Sequence, residues 1–333
     1  MTARVVCTRN GLLESAHTVH VAVVVADGRT VASAGDPDIP TYYRSAVKPL
    51  QALPLVEDGV VDTFGLTDAE LALCCASHSG EPEHVAGALD ILGKAGLTQA
   101  DLECGPHEPM SKVAAAALAR SGESPGSIHN SCSGKHAGML ALAVHHGWPT
   151  AGYMEYEHPV QRRMHSEIAR WSGMAEEEIG TGEDGCGVVC FRAPLSRLAV
   201  SFARFATAAA RGEPAGRVVS AMTAHPFMVA GSDRLCTAVM EVGGGRIFAK
   251  SGAEGVYAVG DVEGRMGVAI KVEDGARRAS TVALVGVLEA LELLGVDEID
   301  SLSSFAQPLI RNTLGSAVGE LRAEIELEPH SEA

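Results

Sequence analysis

The feature that most constrains the fold is the placement of strand-like segments at both ends of the chain, with helical patterns between them. Residues 3–8 and 18–25 are rich in β-branched side chains, and the Asp-Gly turn that follows predicts a hairpin. Beyond residue 243, three short apolar segments separated by turn residues predict further strands. The pattern therefore predicts an α/β (α+β) chain in which both ends pair into one antiparallel sheet and the middle forms a helical lobe.

The helical lobe is delimited by start and stop signals within the chain. Several helical segments follow a Ser or Thr that can act as a cap, and several end at a glycine. We expect residues 1–44 and 243–330 to supply the sheet with its packing helices, and residues 45–242 to supply the mainly helical lobe. No internal repeat or low-complexity linker separates these parts, so they are expected to form one continuous unit.

The composition argues against two classes of partner. A formal net charge of −16 disfavours a nucleic-acid groove, which needs clustered Lys and Arg to neutralise phosphate. No apolar run is long enough to cross a bilayer, and residues 1–17 lack the apolar segment of a signal peptide. We therefore expect a cytoplasmic protein that binds neither nucleic acid nor membrane.

Lysine is scarce in this chain, which makes each lysine inside a polar motif informative. Only six of the 26 basic residues are lysine. Arginine stays protonated in proteins, whereas a partly buried lysine can become a neutral amine that acts as a base or a metal ligand. The alternative is a codon bias towards arginine that leaves a few surface lysines, and this alternative suits Lys94 and Lys112 in or beside amphipathic helices.

Two motifs place lysine beside serine in the pattern of a serine hydrolase. Ser45 and Lys48 are three residues apart at the start of a predicted helix, so the hydroxyl and the amine share one helix face. The segment Lys250-Ser251-Gly252 ends a predicted strand and matches the Lys-Thr-Gly signature of serine β-lactamases and penicillin-binding proteins. A strand lysine on the far wall can keep the helix lysine neutral, so that it takes a proton from the serine. The alternative is a capped helix with a surface lysine, and the third signature, Ser-Asp-Asn, is absent.

A second cluster combines cysteine with lysine. Cys132 and Lys135 are three residues apart at another helix start, and Cys186 lies in the glycine-rich segment EDGCG. This spacing matches no standard zinc finger, and the alternative is a pair of buried thiols. Four polar residues close in sequence favour a metal site: His129, His136, Glu183 and Asp184.

Four segments of the chain, taken in order, resemble the L-asparaginase II family. They are YRSAVKPLQALPL, ASHSGEPEH, HNSCSGKHAGMLA and EDGCGV, and the resemblance spans roughly residues 10–320. This family is the rhizobial-type, zinc-containing third class of L-asparaginases, built on a serine β-lactamase-like fold that is shared with the DD-peptidases. The resemblance implies hydrolysis of L-asparagine to L-aspartate and ammonia.

The resemblance also implies two Ser–Lys pairs in the active site. One is Ser45 with Lys48, and the other is Ser77 with a lysine from the late strands. We expect that lysine to be Lys250, because its Lys-Ser-Gly segment fits the β-lactamase pattern, rather than Lys271 in AIKVEDG. Ser45 is then the expected nucleophile, and Lys48 is the expected neutral base.

Zinc is the cofactor that the resemblance implies, with water completing the coordination. Six residues match the family's zinc ligands and the residues that flank its site: Cys132, Lys135 and Cys186 as ligands, and Arg44, His136 and Asp184 beside them. Where the family pattern has a proline after GCGV, this chain has Val189, which is expected to affect only the loop.

An amide substrate requires an oxyanion hole and anchors for its charged groups. By likeness to the β-lactamase fold, the backbone N–H groups of Ser45 and Ala253 are expected to hold the oxyanion. Arg44 can meet the carboxylate of a free amino acid, and Asp184 or Glu81 can meet its ammonium.

Two other functions remain open at the level of sequence. One is a β-lactam or peptide hydrolase with the same nucleophile, and the missing Ser-Asp-Asn signature counts against it. The other is a non-catalytic zinc-binding protein whose lysines brace a polar core. We expect instead a homodimer that hydrolyses L-asparagine in preference to glutamine.

Overall fold

Strands at both chain ends and helices between them make up the structure, which confirms the predicted architecture. The structure is a computed structural model that describes residues 3–330. Its strands are β1 Ala3–Arg9, β2 Leu12–Val25, β3 Thr30–Ala34, β4 Pro40–Tyr42, β5 Gly180–Glu183, β6 Val189–Pro194, β7 Ile247–Ser251, β8 Val256–Asp261, β9 Met266–Val272, β10 Leu309–Arg311, β11 Ala317–Ile325 and β12 Glu328–Pro329. Its α-helices are α1 Lys48–Glu57, α2 Val60–Phe64, α3 Asp68–Cys74, α4 Pro82–Lys94, α5 Lys112–Ser121, α6 Ser133–His146, α7 Pro159–Ser172, α8 Leu195–Ala210, α9 Pro214–Ala224, α10 Pro226–Ala230, α11 Leu235–Val242, α12 Arg277–Ala290, α13 Val296–Ser301 and α14 Ser303–Ala306. Short 3₁₀ helices cover Arg44–Val47, Gln99–Asp101, Ser127–His129 and Glu176–Glu178.

The main sheet joins the two ends of the chain through antiparallel pairs. Its strand order is β10-β11-β1-β2-β9-β8-β7, with β3 beside β2 and β12 beside β3. Val5 of β1 lies opposite His17 of β2 on one side and Ala323 of β11 on the other. Val21 of β2 lies opposite Ile270 of β9, so the first hairpin is locked between strands from the last third of the chain.

Helices cover both faces of this sheet. Adjacent residues are buried along the whole of β8 and through the centre of β2, which is the pattern of strands covered on both sides. Helix α8 packs on β2, β8 and β9, while α12 packs on β1 and β11. Gly267 of β9 lies directly beneath α8, because a Cβ there would collide with the carbonyl oxygen of Ala199.

A second, smaller sheet combines β4 with two strands, β5 and β6, from the region that we predicted to be mainly helical. Its strand order is β4-β6-β5, and β4 is followed by the turn that carries Ser45. The Tyr43 N–H donates to the carbonyl of Phe191 at 2.9 Å, and the Tyr43 hydroxyl donates to the carbonyl of Pro194 at 2.9 Å. These bonds fix the backbone immediately before Ser45. In residues 3–330, no helix is long and apolar enough to cross a membrane.

Candidate active site

Ser45 lies on a tight 3₁₀ turn that leads directly into helix α1. Arg44, the first residue of the turn, has a left-handed φ of 50°, which is uncommon outside glycine and marks a locally strained backbone. The alternative of a capped helix is not seen, because neither the turn nor α1 has a side-chain cap. The Ser45 hydroxyl forms no hydrogen bond with a residue that the structure describes, and it faces a cavity of about 410 Å³. That volume falls within the range of about 300–1,000 Å³ typical of small-molecule sites.

Ser77 faces the same cavity from the segment that follows α3. Its backbone N–H donates to the carbonyl of Val229 at 3.0 Å, and the N–H of His78 donates to the carbonyl of Ser131 at 3.0 Å. The His78 imidazole is fully buried, and its Nε2 lies 2.9 Å from the hydroxyl of Ser133. Two neighbouring segments therefore hold Ser77 in place.

Two buried lysines converge on the hydroxyl of Ser77. Lys48 Nζ lies 3.1 Å from Ser77 Oγ, and Lys250 Nζ lies 2.9 Å from the same oxygen. Lys48 also donates to the carbonyl of Ala76, and each lysine side chain is 1% exposed. Thus, the structure does not place one lysine on each serine, and Lys48 forms no hydrogen bond with the Ser45 hydroxyl. Lys271 lies elsewhere, where its amine donates to backbone carbonyls of Glu254 and Val272.

The pKa of Lys250 is lowered, whereas the sequence led us to expect this of Lys48. Burial lowers the pKa of Lys250 from 10.5 to about 7, and the charge of Lys48 lowers it further in the same direction. Lys250 also donates to the carbonyl of Ser251 at 2.9 Å, and its partners in the described structure include no carboxylate that would stabilise its charge. A substantial fraction of this amine is therefore neutral near physiological pH, where it contacts a serine hydroxyl.

Two backbone N–H groups at the cavity wall are free to donate. Neither the N–H of Ser45 nor that of Ala253 has a hydrogen-bond acceptor within residues 3–330, and both residues face the cavity. The end of strand β7 lies tightly against the Ser45 turn, because a Cβ on Gly252 would come within 2.8 Å of the carbonyl oxygen of Tyr43. The two donors therefore lie on segments in direct contact, as an oxyanion hole requires.

The cysteine–lysine cluster lies behind this site. Lys135 Nζ lies 3.1 Å from the sulfur of Cys186, and Lys48 Nζ lies 3.2 Å from the sulfur of Cys132. Contact with the Cys186 thiol holds the pKa of Cys132 well below its usual range, and the charges of Lys48 and Lys135 act in the same direction. The pKa of Cys186 is correspondingly raised by its contact with Cys132 and by burial.

The donor set fits a thiophilic metal ion. Burial opposes a charge on Lys135, but the two thiols and Asp184 hold its pKa above the usual value. The amine is therefore protonated, and it must lose this proton before it can act as a metal ligand. A metal cation can replace that proton between two sulfurs and one amine nitrogen. Residues 3–330 contain no group of three or more His, Cys, Asp or Glu side chains that could hold a metal. A metal site at this cluster therefore needs the amine of Lys135 as its third protein ligand.

Three residues that we expected near the substrate or the metal do not line the cavity, and each pairs with another side chain or backbone group. They are Arg44, Asp184 and Glu81. Arg44 Nε donates to Asp184 at 2.7 Å, and the Glu81 carboxylate accepts from the N–H and hydroxyl of Ser232 at 2.9 Å each. Burial opposes ionisation of Asp184, but Lys135 and Arg44 lower its pKa overall.

His136 is buried beside the cluster. Its Nδ1 lies 2.7 Å from the hydroxyl of Tyr153, and its Nε2 has no partner among the described residues. Burial lowers the pKa of His136 well below its usual value, so the ring is neutral. A neutral ring is compatible with the positive charge of the adjacent Lys135.

Sequence reasoning missed four charged residues that line the cavity. They are Asp233, Arg234, Glu254 and Arg277. None belongs to a motif with a characteristic spacing. Arg277 is the first residue of α12, and Arg234 immediately precedes α11, so only the tertiary fold brings both to the serines.

Comparison with known proteins gives one match that covers nearly the whole chain. Residues 5–323 match the sequence model of the family described as L-asparaginase II. A β-lactamase from Mycobacterium bovis is similar in structure, with 16% identity, a TM-score of 0.41, and coverage of 86% of this chain and 95% of that chain. A protein described as Mglu has 19% identity, a TM-score of 0.38, and coverage of 89% and 72%. Curated protein sequences gave no significant match.

Proposed function

The chain belongs to the L-asparaginase II family, and on this premise we propose that it hydrolyses L-asparagine to L-aspartate and ammonia. Membership of the family supports an amidohydrolase of the asparaginase type. The observation that carries the proposal is the meeting of two serine hydroxyls and a lysine of pKa about 7 at one cavity. Amide hydrolysis through an acyl-enzyme needs this combination of nucleophile and base.

Ser45 is the proposed nucleophile. Its hydroxyl is not engaged by a described residue, so it is available to the side-chain amide of the substrate. Ser77 lies between two amines, which occupy both sides of its oxygen. A hydroxyl in that position is better suited to pass a proton than to attack a carbonyl carbon.

Lys250 is the proposed base, with Ser77 as the relay. Ser45 and Ser77 face the same cavity. As Ser45 Oγ attacks the amide carbon, we expect the two hydroxyls to come into contact, so that the Ser45 proton passes to Ser77 and the Ser77 proton passes to the neutral amine of Lys250. The positive charge of Lys48 stabilises the negative charge that develops on the serine oxygens. The backbone N–H groups of Ser45 and Ala253 donate to the oxyanion of the tetrahedral intermediate.

Collapse of this intermediate completes the first half of the reaction. The C–N bond breaks, the proton on Lys250 returns through Ser77 to the leaving nitrogen, and ammonia departs. An ester then links Ser45 to the aspartyl group. Water then attacks this ester while Lys250 accepts its proton through Ser77. As the bond between the acyl carbon and Ser45 Oγ breaks, that proton passes to Ser45 Oγ, which restores the serine and releases L-aspartate.

Zinc is proposed to bind Cys132, Lys135 and Cys186 and to hold the substrate rather than to supply the nucleophile. A zinc ion bound there would add a Lewis-acidic centre, and two thiolate donors would weaken its acidity. The cluster lies on the N-terminus of α6 and the loop before β6, and Asp184 connects that loop to Arg44. Metal binding would therefore stiffen the segments next to the Ser45 turn.

The decisive experiment is incubation of the purified protein with L-asparagine and coupled detection of ammonia. Ser45→Ala is expected to retain less than about a tenth of wild-type activity while remaining folded, since a loss of 1.4 kcal/mol of transition-state stabilisation is already tenfold. Higher activity in this variant would indicate that Ser77, not Ser45, is the nucleophile. Turnover of a chromogenic β-lactam without ammonia release would refute the proposed substrate.

A matched pair of variants tests which strand lysine is the base. Lys250→Arg keeps the positive charge but cannot accept a proton, so it is expected to lose about 10²- to 10⁴-fold in kcat. Lys271→Arg changes the other strand lysine and is expected to remain near wild type. The reverse result would make Lys271 the base. Assembly as a homodimer is likewise proposed, and light scattering of the purified protein measures it.

A further inference from the structure

Four charged side chains line the catalytic cavity outside the Ser–Lys machinery, and their charges sum to zero. They are Asp233, Arg234, Glu254 and Arg277. A free α-amino acid carries one carboxylate and one ammonium, so it presents the same balance of charges. A peptide-linked amide or a β-lactam lacks this pair of opposite charges on one carbon atom.

The two arginines lack ionic partners within residues 3–330. Neither Arg234 nor Arg277 forms a salt bridge with a described carboxylate, although acidic residues outnumber basic residues by 42 to 26 in this chain. By contrast, Arg44, Arg163 and Arg246 each pair with an acidic side chain. The cavity therefore has two guanidinium groups that no described carboxylate neutralises through a salt bridge.

Arg234 is held close to the reacting groups, and Arg277 lines the same cavity. Arg234 Nη1 donates to the hydroxyl of Ser79 at 3.3 Å, two residues from Ser77. Burial and the charge of Arg234 both lower the pKa of Arg277, so the two cations interact across the cavity. A bound anion would relieve that repulsion.

We propose that Arg277 and Arg234 bind the α-carboxylate of the substrate and thereby restrict the enzyme to free amino acid amides. This inference rests on the proposed asparaginase activity. Guanidinium groups bind carboxylates in a planar, bidentate arrangement, which fixes both the position and the orientation of the substrate. Arg44, which we first expected in this role, is already engaged by Asp184.

The test compares two substrates that differ only at the proposed contact. L-Asparagine carries the α-carboxylate, and L-aspartic acid diamide replaces it with a neutral amide. In the wild type we expect kcat/KM to be much higher for L-asparagine. Arg277→Gln is expected to lower kcat/KM for L-asparagine by about 10- to 100-fold, mainly through KM, because hydrogen bonds to charged groups are among the strongest. The same variant should change kcat/KM for the diamide by less than about twofold.

Arg278→Gln is the matched control. Arg278 is the next residue of α12, but its guanidinium donates to His17 at 3.1 Å on the other side of the helix start. The Arg278→Gln variant is expected to keep the wild-type preference for L-asparagine over the diamide. Arg234→Gln should reproduce the loss of selectivity, and Arg277→Lys should restore part of it.

Three outcomes separate this inference from the proposed function. An equal loss on both substrates in Arg277→Gln would overturn it, because the arginine would then support the fold or the chemistry. Ammonia release with unchanged selectivity would also overturn it and would leave the asparaginase proposal intact. If ammonia is not released, calorimetric titration with L-asparagine and L-aspartate decides: binding lost in Arg277→Gln but kept in Arg278→Gln supports the inference, and no binding by the wild type overturns it.

Discussion

Replacement of Lys250 by methionine is expected to stabilise the protein while abolishing catalysis. Lys250 is 1% exposed, and burial with the nearby Lys48 charge lowers its pKa from 10.5 to about 7. The native state therefore disfavours the protonated amine, whereas the unfolded chain carries it up to its ordinary pKa. Methionine has a flexible apolar side chain that fits the buried stem and carries no charge.

The magnitude follows from these two pKa values. One pKa unit corresponds to about 1.4 kcal/mol. The unfolding free energy of the wild type is therefore about 5 kcal/mol lower below pH 7 than above pH 10.5. Between those limits the unfolded chain binds the additional proton, and wild-type stability rises with pH by about 1.4 kcal/mol per unit. The variant lacks this dependence but loses the hydrogen bonds to Ser77 and Ser251, about 2 kcal/mol in total. The net gain is therefore about 3 kcal/mol near pH 6, and it falls to about zero near pH 9.

The assay is urea unfolding of wild type and Lys250→Met at pH 6, 7, 8 and 9. The difference in unfolding free energy between the two proteins removes the contributions of all other titrating groups. Lys112→Met serves as the control, because Lys112 is exposed on α5 and its removal should leave no such dependence. A difference that does not change with pH, or a variant less stable than wild type at pH 6, would refute the assignment of a neutral, buried Lys250.

The kinetics should follow the same group: kcat/KM is expected to fall tenfold per pH unit below about pH 7 and to level off above it. If kcat/KM does not fall as the pH drops below about 7, Lys250 is not the base. Elemental analysis of protein purified without added metal should find about one zinc per chain, with occupancy falling at low pH because Lys135 must lose a proton to bind. Unchanged zinc in Cys186→Ser would contradict the ligand set. L-Asparagine should be preferred over glutamine by more than the 1–3 kcal/mol, about 10- to 200-fold, that one methylene yields in an apolar slot. Comparable kcat/KM values would indicate a general amidase.

The main sheet was predictable because its strands carry local signals. β-Branched runs and turn residues mark β1, β2 and β7 to β9, and their placement at opposite chain ends requires pairing across the helical region. The small sheet was not predictable. Its strand β5 has the sequence GTGE, which lacks both alternation and apolar content, so only pairing with β6 makes it a strand.

The motifs pointed to residues that the structure brings together, but they did not predict all of the contacts between those residues. Ser45 and Lys48 were recognised by their spacing, yet the 3₁₀ turn directs the amine of Lys48 towards Ser77. Sequence spacing describes neighbours on a regular helix, and it fails where the first turn is distorted. Arg234 and Arg277 carry no pattern at all, because arginine is the common cation of this chain and both residues depend on tertiary contacts for their position.

The exchange of roles between the two lysines has a physical cause that no motif contains. Lys48 has a backbone carbonyl, a serine hydroxyl and the sulfur of Cys132 as partners, whereas the partners of Lys250 among the described residues are a hydroxyl and one carbonyl. Burial is the largest cause of the lowered pKa of Lys250, and the charge of Lys48 acts in the same direction. Because Cys132 belongs to the proposed metal site, the cluster proposed to hold zinc also supplies a partner to Lys48 beside the proposed base. A contact of 3.2 Å between Lys48 and Cys132 therefore joins the proposed metal site to the proposed catalytic site, so a change in one is expected to affect the other.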